Sequence, residues 1–313
     1  MSFRARAGAV LAAAFLSGCS PERDAGELFA PEAVGLLVLD CQLLVGKVLP
    51  PVYVRETLPP GESYSLSKAA VRGATVTIRR GAVSYVYVEQ PDTLATYVPP
   101  VGAPAVLPSV EYELLVSAPD GRSARAVTRT PAPFHVEEWA WLSETTLEVV
   151  GTLRTFEEGG DSVYQEPENQ MTYLEDLLEA RFTRDPAVPG YQVGILSLDL
   201  GSPLVLQADF LTDEDLADIE RAGSSPPFEA ADGTIRMPWF AIAYEGRHKV
   251  LIFAMDQNWF DYVRSSPEFT GGGSFGGNAG DAFERPIFHV EGGIGLFGSA
   301  AVDSLGFIVH PGP

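Results

Sequence analysis

Cysteine is nearly absent, with Cys19 and Cys41 the only two in the chain. Two thiols cannot frame a disulfide-rich fold or a multi-cysteine metal site. Histidine is almost as scarce. His135, His248, His289 and His310 fall into no HExxH or other metal-ligand spacing, and surface or strand-edge positions are expected for them. His135-Val136-Glu137 is an HxE fragment, but it lacks the downstream cysteine pair of the zinc deaminases. Basic residues are outnumbered, 21 lysines and arginines against 42 acidic residues, for a formal net charge of −21. Such a surface repels nucleic acid, which is held mainly through Lys and Arg on phosphates. It equally disfavours anionic lipid and can attract cations or basic partners. There is no internal repeat and no coiled-coil heptad. The apolar run at residues 7–16 is well short of the ~20 residues that cross a bilayer.

That run has a different meaning. Arg4 and Arg6 precede it, and Leu16-Ser17-Gly18-Cys19 follows. A positive start, a short apolar centre and small residues at the end define a secretory signal, here residues 1–18. The last four residues resemble a lipobox. The resemblance implies cleavage before Cys19, a diacylglyceryl thioether on its sulfur and an acyl chain on its amine. Each buried CH₂ contributes about 0.8 kcal/mol, and two or more chains give stable anchoring. Ser20 rather than Asp follows, which favours the outer membrane. Residues 19–33 are polar and contain proline, as a tether would be. Removing residues 1–18 takes two arginines and no acid, so 42 acidic and 19 basic residues remain, a formal charge of −23. With Cys19 acylated, Cys41 stands alone in LLVLDCQLLV and is expected to be a buried small hydrophobe.

The rest reads as strands. Residues 74–79 alternate Val76 and Ile78 against threonines, and 85–88 are pure β-formers. Residues 111–116 alternate Tyr112, Leu114 and Val116, turn at Pro119-Asp120-Gly121 and return over 125–130. Period-two patterns with Asp-Gly turns at short intervals indicate a β-sandwich. Pro131-Ala132-Pro133 stiffens the chain and removes ladder donors, which marks a boundary. The expected fold is all-β with minor α: an immunoglobulin-like sandwich over residues 34–131, then a larger β-rich domain over 134–313. Its candidate strands are 146–155, 178–183, 191–198, 236–244, 249–255, 287–290 and 305–309. Helices are expected at 213–221, with Thr212 as cap, and near Trp259.

Several motifs imitate chemistry. Residues 293–298 spell G-x-G-x-x-G, but a dinucleotide site needs a βαβ unit around it, and only fifteen residues follow Gly298. Residues 291–298 are instead expected to form a structural turn that fixes the last strand. Ser274 sits in G-x-S-x-G, yet the flanking glycines of 271–281 indicate a loop rather than a strand–elbow–helix. His289 and His310 follow it and leave a triad open. The acidic groups Glu157, Glu158, Asp161 and Asp213, Glu214, Asp215, Asp218 do not follow a calcium-loop pattern. Trp139, Trp141, Trp239 and Trp259 would make a sugar-stacking platform if exposed, and core residues if not. No catalytic, cofactor or metal residue is assigned; the assigned site residue is Cys19, the lipidation position.

Segments LLVLDCQLLV, GATVTIRRG, PSVEYELLVSAPDGRSARAVTRTPAP, TRDPAVPGYQVGI and FERPIFHVEGGIGLFGSAAVD together resemble the DUF4249 family of lipoproteins, found mostly in Bacteroidetes and relatives. The last, with its E-G-G-[IL]-G-x-F-G motif, is the specific one. Residues 135–180 depart from the pattern. The family has no assigned activity. The resemblance implies accessory or binding work beside TonB-dependent outer-membrane receptors. The leading expectation is therefore a non-catalytic, lipid-anchored binding protein of the outer membrane, partnered by membrane lipid through Cys19 and by such a receptor. A surface hydrolase and a structural or adhesive envelope protein are the alternatives.

Overall fold

The computed structural model describes residues 34–173, 176–206, 219–237, 241–266 and 286–312. Cys19, the tether, Ser274 with its glycine loop, Trp239 and most of the helix expected at 213–221 lie outside these ranges. The described residues form three sheets with little helix, an all-β fold with minor α as expected.

The first β-sandwich follows directly from the alternation. Strand β1 (Leu37–Leu44) buries Leu37, Leu39, Cys41 and Leu43 and turns the residues between them outward. It pairs antiparallel with β2 (Val52–Glu56), which continues to β6 (Thr96–Val98) and β5 (Val88–Glu89). The facing sheet has the order β17 (Val290–Glu291), β8 (Ser123–Arg129), β7 (Glu111–Ser117), β3 (Thr75–Arg80), β4 (Val83–Val86). Leu39, Val54, Val76, Ile78, Tyr112, Leu114 and Phe297 share one core.

The second sandwich sets a four-stranded sheet, β10 (Val149–Thr152), β9 (Glu138–Ser143), β12 (Asp176–Arg181), β15 (Thr234–Met237), against the other end of the large sheet. That end comprises β14 (Ala222–Ser224), β13 (Gly190–Ser197), β16 (Gly246–Met255) and β11 (Gln170–Thr172). Its core is rich in aromatic rings, with Trp139, Trp141, Tyr191 and Phe307 buried together.

One strand belongs to both halves. β18 (Gly293–His310) runs parallel to β1 over Gly293–Ala300, then pairs antiparallel with β16 over Ala300–Val309. Residues 290–300 thus pack in the first sandwich although they follow the break at 131–133. Helix α1 (Gln257–Ser265) lies against the crossing point, where Trp259 and Val263 pack on Leu296 and Ala300. Asp256 caps it by accepting from the Trp259 N–H at 3.0 Å.

This corrects the closing motif. The turn is confined to Gly292, at φ +72°, and residues 293–298 lie inside β18. The glycines are there for close approach. A Cβ on Gly293 would stand 2.6 Å from the Leu37 carbonyl oxygen, and one on Gly295, at φ +109°, would collide with that of Leu39. Other expected bounds shift too. The strand expected at 146–155 shortens to β10 because Leu147 takes φ +58°. The strand expected at 236–244 ends, as described, at Met237, and residues 241–244 are not in a ladder. The 287–290 strand is only β17.

Candidate functional site

Cys41 is 1% exposed and has no disulfide partner. Burial, then the Asp40 charge, pushes its thiol far above the ordinary range, so it is an inert core residue. Trp139, Trp141 and Trp259 are all buried, which ends a sugar platform made of these three. Glu157, Glu158 and Asp161 face solvent, and Glu158 closes a capping box on Thr155. Of the histidines, His135 and His310 are exposed, paired with Asp303 at 3.0 Å and Gln170 at 2.8 Å. His289 is exposed too, and pairs with Asp261 at 2.8 Å. His248 departs from expectation: it is 1% exposed and stacked on Phe307. Its β16 position faces the large sheet's covered side, and burial lowers its pKa.

Two polar clusters tie the fold together. At the waist, Asp256 accepts from the Thr128 hydroxyl and from the Ser299 N–H at 3.0 Å, while the Asn258 amide donates to Val127 O and Phe297 O. Strand β8 of the first sandwich is thereby tied to β18 and α1. Burial raises the Asp256 pKa, and these hydrogen bonds offset it only in part. On the four-stranded sheet Glu179, 3% exposed by its side chain, is clasped by Arg181 and Arg236, each at 2.6 Å. Burial opposes its charge, but the two guanidinium groups win and hold its carboxyl below the usual range.

The described residues also enclose a cavity of about 240 Å³ where the chain passes from one sandwich to the next. Its position follows from the prolines. Pro131-Ala132-Pro133 cannot continue a ladder, so the chain bends, held by Ser109 N–H on Pro131 O at 3.0 Å and by Val136 N–H on Asp303 Oδ2 at 2.7 Å. Opposite, Asp185-Pro186 makes a tight turn in which Asp185 accepts from the Ala187 N–H at 2.9 Å. Gly190 then opens β13 with no room for a side chain, because Phe260 occupies the space.

Val188, Tyr191 and Ala254 are the buried lining, and Phe134 the half-buried one. His135, Glu137 and Thr183 are exposed at its mouth, with Glu137 accepting from the Thr183 N–H at 3.0 Å and from its hydroxyl at 2.6 Å. Phe134, Phe182 and Tyr191 pack ring on ring, with centroids 4.7 to 5.5 Å apart. The Tyr191 side chain is completely buried, yet its hydroxyl has no hydrogen-bond partner among the described residues. Burial raises the Tyr191 pKa and the Asp185 backbone N–H opposes that rise, but as a donor it leaves the hydroxyl proton without an acceptor among the described residues. A buried hydroxyl without an acceptor costs about 1–3 kcal/mol.

Of these lining residues, the sequence singles out only His135 and Glu137, as an HxE fragment without the cysteine pair a zinc site needs. Phe134, His135 and Glu137 follow the boundary prolines, and Asp185 and Tyr191 belong to TRDPAVPGYQV. A tight proline loop facing a proline-bent crossover was the available signal.

A family model described as "Domain of unknown function (DUF4249)" matches residues 29–305. The chain belongs to the DUF4249 family. Among curated proteins nothing matches. A solved chain from "Structural insight into host cell surface retention of a 1.5-MDa bacterial ice-binding adhesin" aligns with 11% identity over 89% of this chain and 66% of its own, at a TM-score of 0.19. At that score the likeness carries no argument.

Proposed function

We propose that this DUF4249 chain is a lipid-anchored, non-catalytic binding protein of the outer membrane, accessory to a TonB-dependent receptor. The observation that carries the binding part is the waist cavity, where Phe134, Val188 and Ala254 meet Glu137, Thr183 and Asp185. A cleft between two rigid elements, lined by apolar and polar groups together, suits a small-molecule site. The signal-like residues 1–18 and the lipobox ending at Cys19 supply the anchor. Anchoring raises the local concentration of the cavity beside a transporter without any new contact. The acidic surface suits a partner with basic patches.

The test is recovery of the full chain, tagged at its carboxyl end, from detergent-solubilised membranes, beside a Cys19→Ala version. Acylation at Cys19, shown by incorporated labelled palmitate, and enrichment of a TonB-dependent receptor are the expected results. Absence of label, or of any outer-membrane receptor from the purified material, would overturn the proposal.

A further inference from the structure

We infer that the tethered end of the first sandwich rests on the bilayer, with Tyr64 and Leu66 of the loop after β2 seated in a zwitterionic lipid surface. This rests on the lipid anchor proposed above and gives the anchored molecule an orientation. Position comes first. The described chain starts at Val34, and Thr57 holds it there. The Gly35 N–H donates to Thr57 O at 3.0 Å and the Leu36 N–H to Thr57 Oγ1 at 2.9 Å. From Thr57 the chain leaves β2, passes Pro59-Pro60-Gly61 and makes one helical turn at Leu66–Ala69. It returns beside β2 where Ala70 bridges Arg55 and the Val71 N–H donates to Val54 O at 3.2 Å. The loop therefore belongs to the end of the sandwich at which β1 begins.

Reach agrees with this. Cys19 and Val34 are fifteen positions apart, so the tether spans about 50 Å at most, and a coil of that length averages about 20 Å between its ends. Strand β18 starts at this same end, with Gly293 opposite Leu37, and meets β16 of the second sandwich only from Ala300 onward. That is roughly 23 Å farther from the tether along the strand. The tethered end is the near end, and the waist cavity is held away from the membrane.

Chemistry comes second. Tyr64 is 65% exposed, Leu66 40% and Val34 41%. A tyrosine at a membrane surface keeps its ring among apolar groups and its hydroxyl in water, and a leucine beside it adds apolar area. Pro59 and Pro60 have fixed φ, so the loop gives up little freedom on docking. Charge comes third. The chain as a whole has 42 acidic residues to 21 basic ones. The two loops at this end, 56–72 and 118–122, instead carry three of each: Glu56, Glu62 and Asp120 against Lys68, Arg72 and Arg122. Glu62 pairs with Lys68 at 2.6 Å, and Glu56 and Asp120 pair with Arg122 at 2.7 and 2.5 Å. Nearby, Glu89 accepts from the Gly73 N–H at 2.7 Å and Glu291 pairs with Arg125 at 3.3 Å. A balanced, internally paired end approaches zwitterionic headgroups without the repulsion the rest of the surface meets, and gains nothing from anionic ones.

The experiment uses the full lipoprotein reconstituted in phosphatidylcholine vesicles that contain nitroxide-bearing lipid. A fluorescent label is placed on Ser63→Cys, beside Tyr64, and in separate samples on Val101→Cys and Val150→Cys, all three at exposed positions. Cys41 is buried and stays unlabelled. The label at 63 should be quenched at least about twofold more than those at 101 and 150, since an interfacial loop sits at headgroup depth. Adding Tyr64→Ser and Leu66→Ser should bring it down to the level of the other two, with an unchanged melting temperature. Replacing part of the phosphatidylcholine by phosphatidylglycerol should give no stronger quenching. Three results would overturn the inference: equal quenching at 63, 101 and 150, full quenching at 63 after the double substitution, or stronger quenching on the anionic vesicles. Labelled palmitate on Cys19 reads the anchor separately. An acylated chain without selective quenching at 63 removes the orientation alone, and a chain without acylation removes both.

Discussion

The two sandwiches treat their buried tyrosines differently. In the first, Tyr97 donates to Val71 O at 2.8 Å and accepts from the Ala74 N–H at 3.0 Å. Tyr87 donates to Pro50 O at 3.0 Å, and Tyr112 accepts from the Leu107 N–H at 2.9 Å. In the second, the Tyr191 hydroxyl and the Trp139 Nε1 are buried without partners among the described residues. In the first core no buried tyrosine hydroxyl is without a partner among the described residues, the unpaired buried atom there being Arg55 Nε. The second leaves polar atoms of its core rings unpaired, at a cost that the packing of those rings has to offset.

The largest expected effect falls on the strand both halves share. Gly295→Ala combines a left-handed φ with collision on the Leu39 carbonyl, and should cost about 3 kcal/mol or more in urea unfolding. Gly223→Ala, in the second half with open space around it, should be neutral or gain up to about 1 kcal/mol. Equal losses would remove the special status given to the β1–β18 contact.

Asp256→Ala comes next. It strips acceptors from the Ser299 and Trp259 N–H groups and from the Thr128 hydroxyl, for a loss of about 3 kcal/mol. Asp256→Asn keeps an acceptor oxygen and should cost less. Because the folded pKa of Asp256 is raised, the folded state binds its proton more tightly. Stability should fall as pH rises from the unfolded value of about 4 toward the folded one, and the Asn variant should lack that decline. A Thr128→Ala, Asp256→Ala double variant that shows purely additive losses would mean that this waist cluster does not couple the two halves.

His248 gives a smaller effect of opposite sign. Its folded pKa is lowered by burial, so the unfolded chain binds the extra proton. Stability contributed by neutral His248 is present above about pH 6.5 and lost as pH falls below it. His248→Gln should flatten the stability profile below about pH 6.5, measured by urea melts at several pH values. An unchanged slope would assign acid sensitivity elsewhere, for instance to Glu179, whose lowered pKa makes its contribution disappear only at lower pH.

The first sandwich was far more legible in the sequence than the second. Alternation in β1, β3, β7 and β8 exposes one face and buries the other, so period two is written plainly in the residues. Residues 138–143 bury four consecutive positions, Trp139 to Leu142, because both faces of β9 are covered, and covered strands lose their period. The return of residues 293–300 to pair parallel with β1 had no local signal, since pairing across some 250 residues of chain is settled by packing. The closing glycines were read as serving backbone geometry, which is their role, but as a turn rather than a strand pressed against a neighbour. His248 was placed at the surface because a lone histidine carries no mark of burial; its register opposite Phe307 supplies that mark only in the folded sheet. Tyr191 lay in a segment quoted for its strand pattern, and nothing in sequence distinguishes a satisfied hydroxyl from an orphaned one.

The most direct measurement of the contrast between the halves is a pair of urea melts on ligand-free protein, Tyr97→Phe beside Tyr191→Phe. Tyr97→Phe is expected to lose about 2 kcal/mol, because it leaves Val71 O and the Ala74 N–H unpaired. Tyr191→Phe is expected to keep full stability or gain slightly, because the hydroxyl it removes has no partner to abandon. Equal losses from the two substitutions would show that Tyr191 is already satisfied inside the fold, and would contradict the contrast between the two halves.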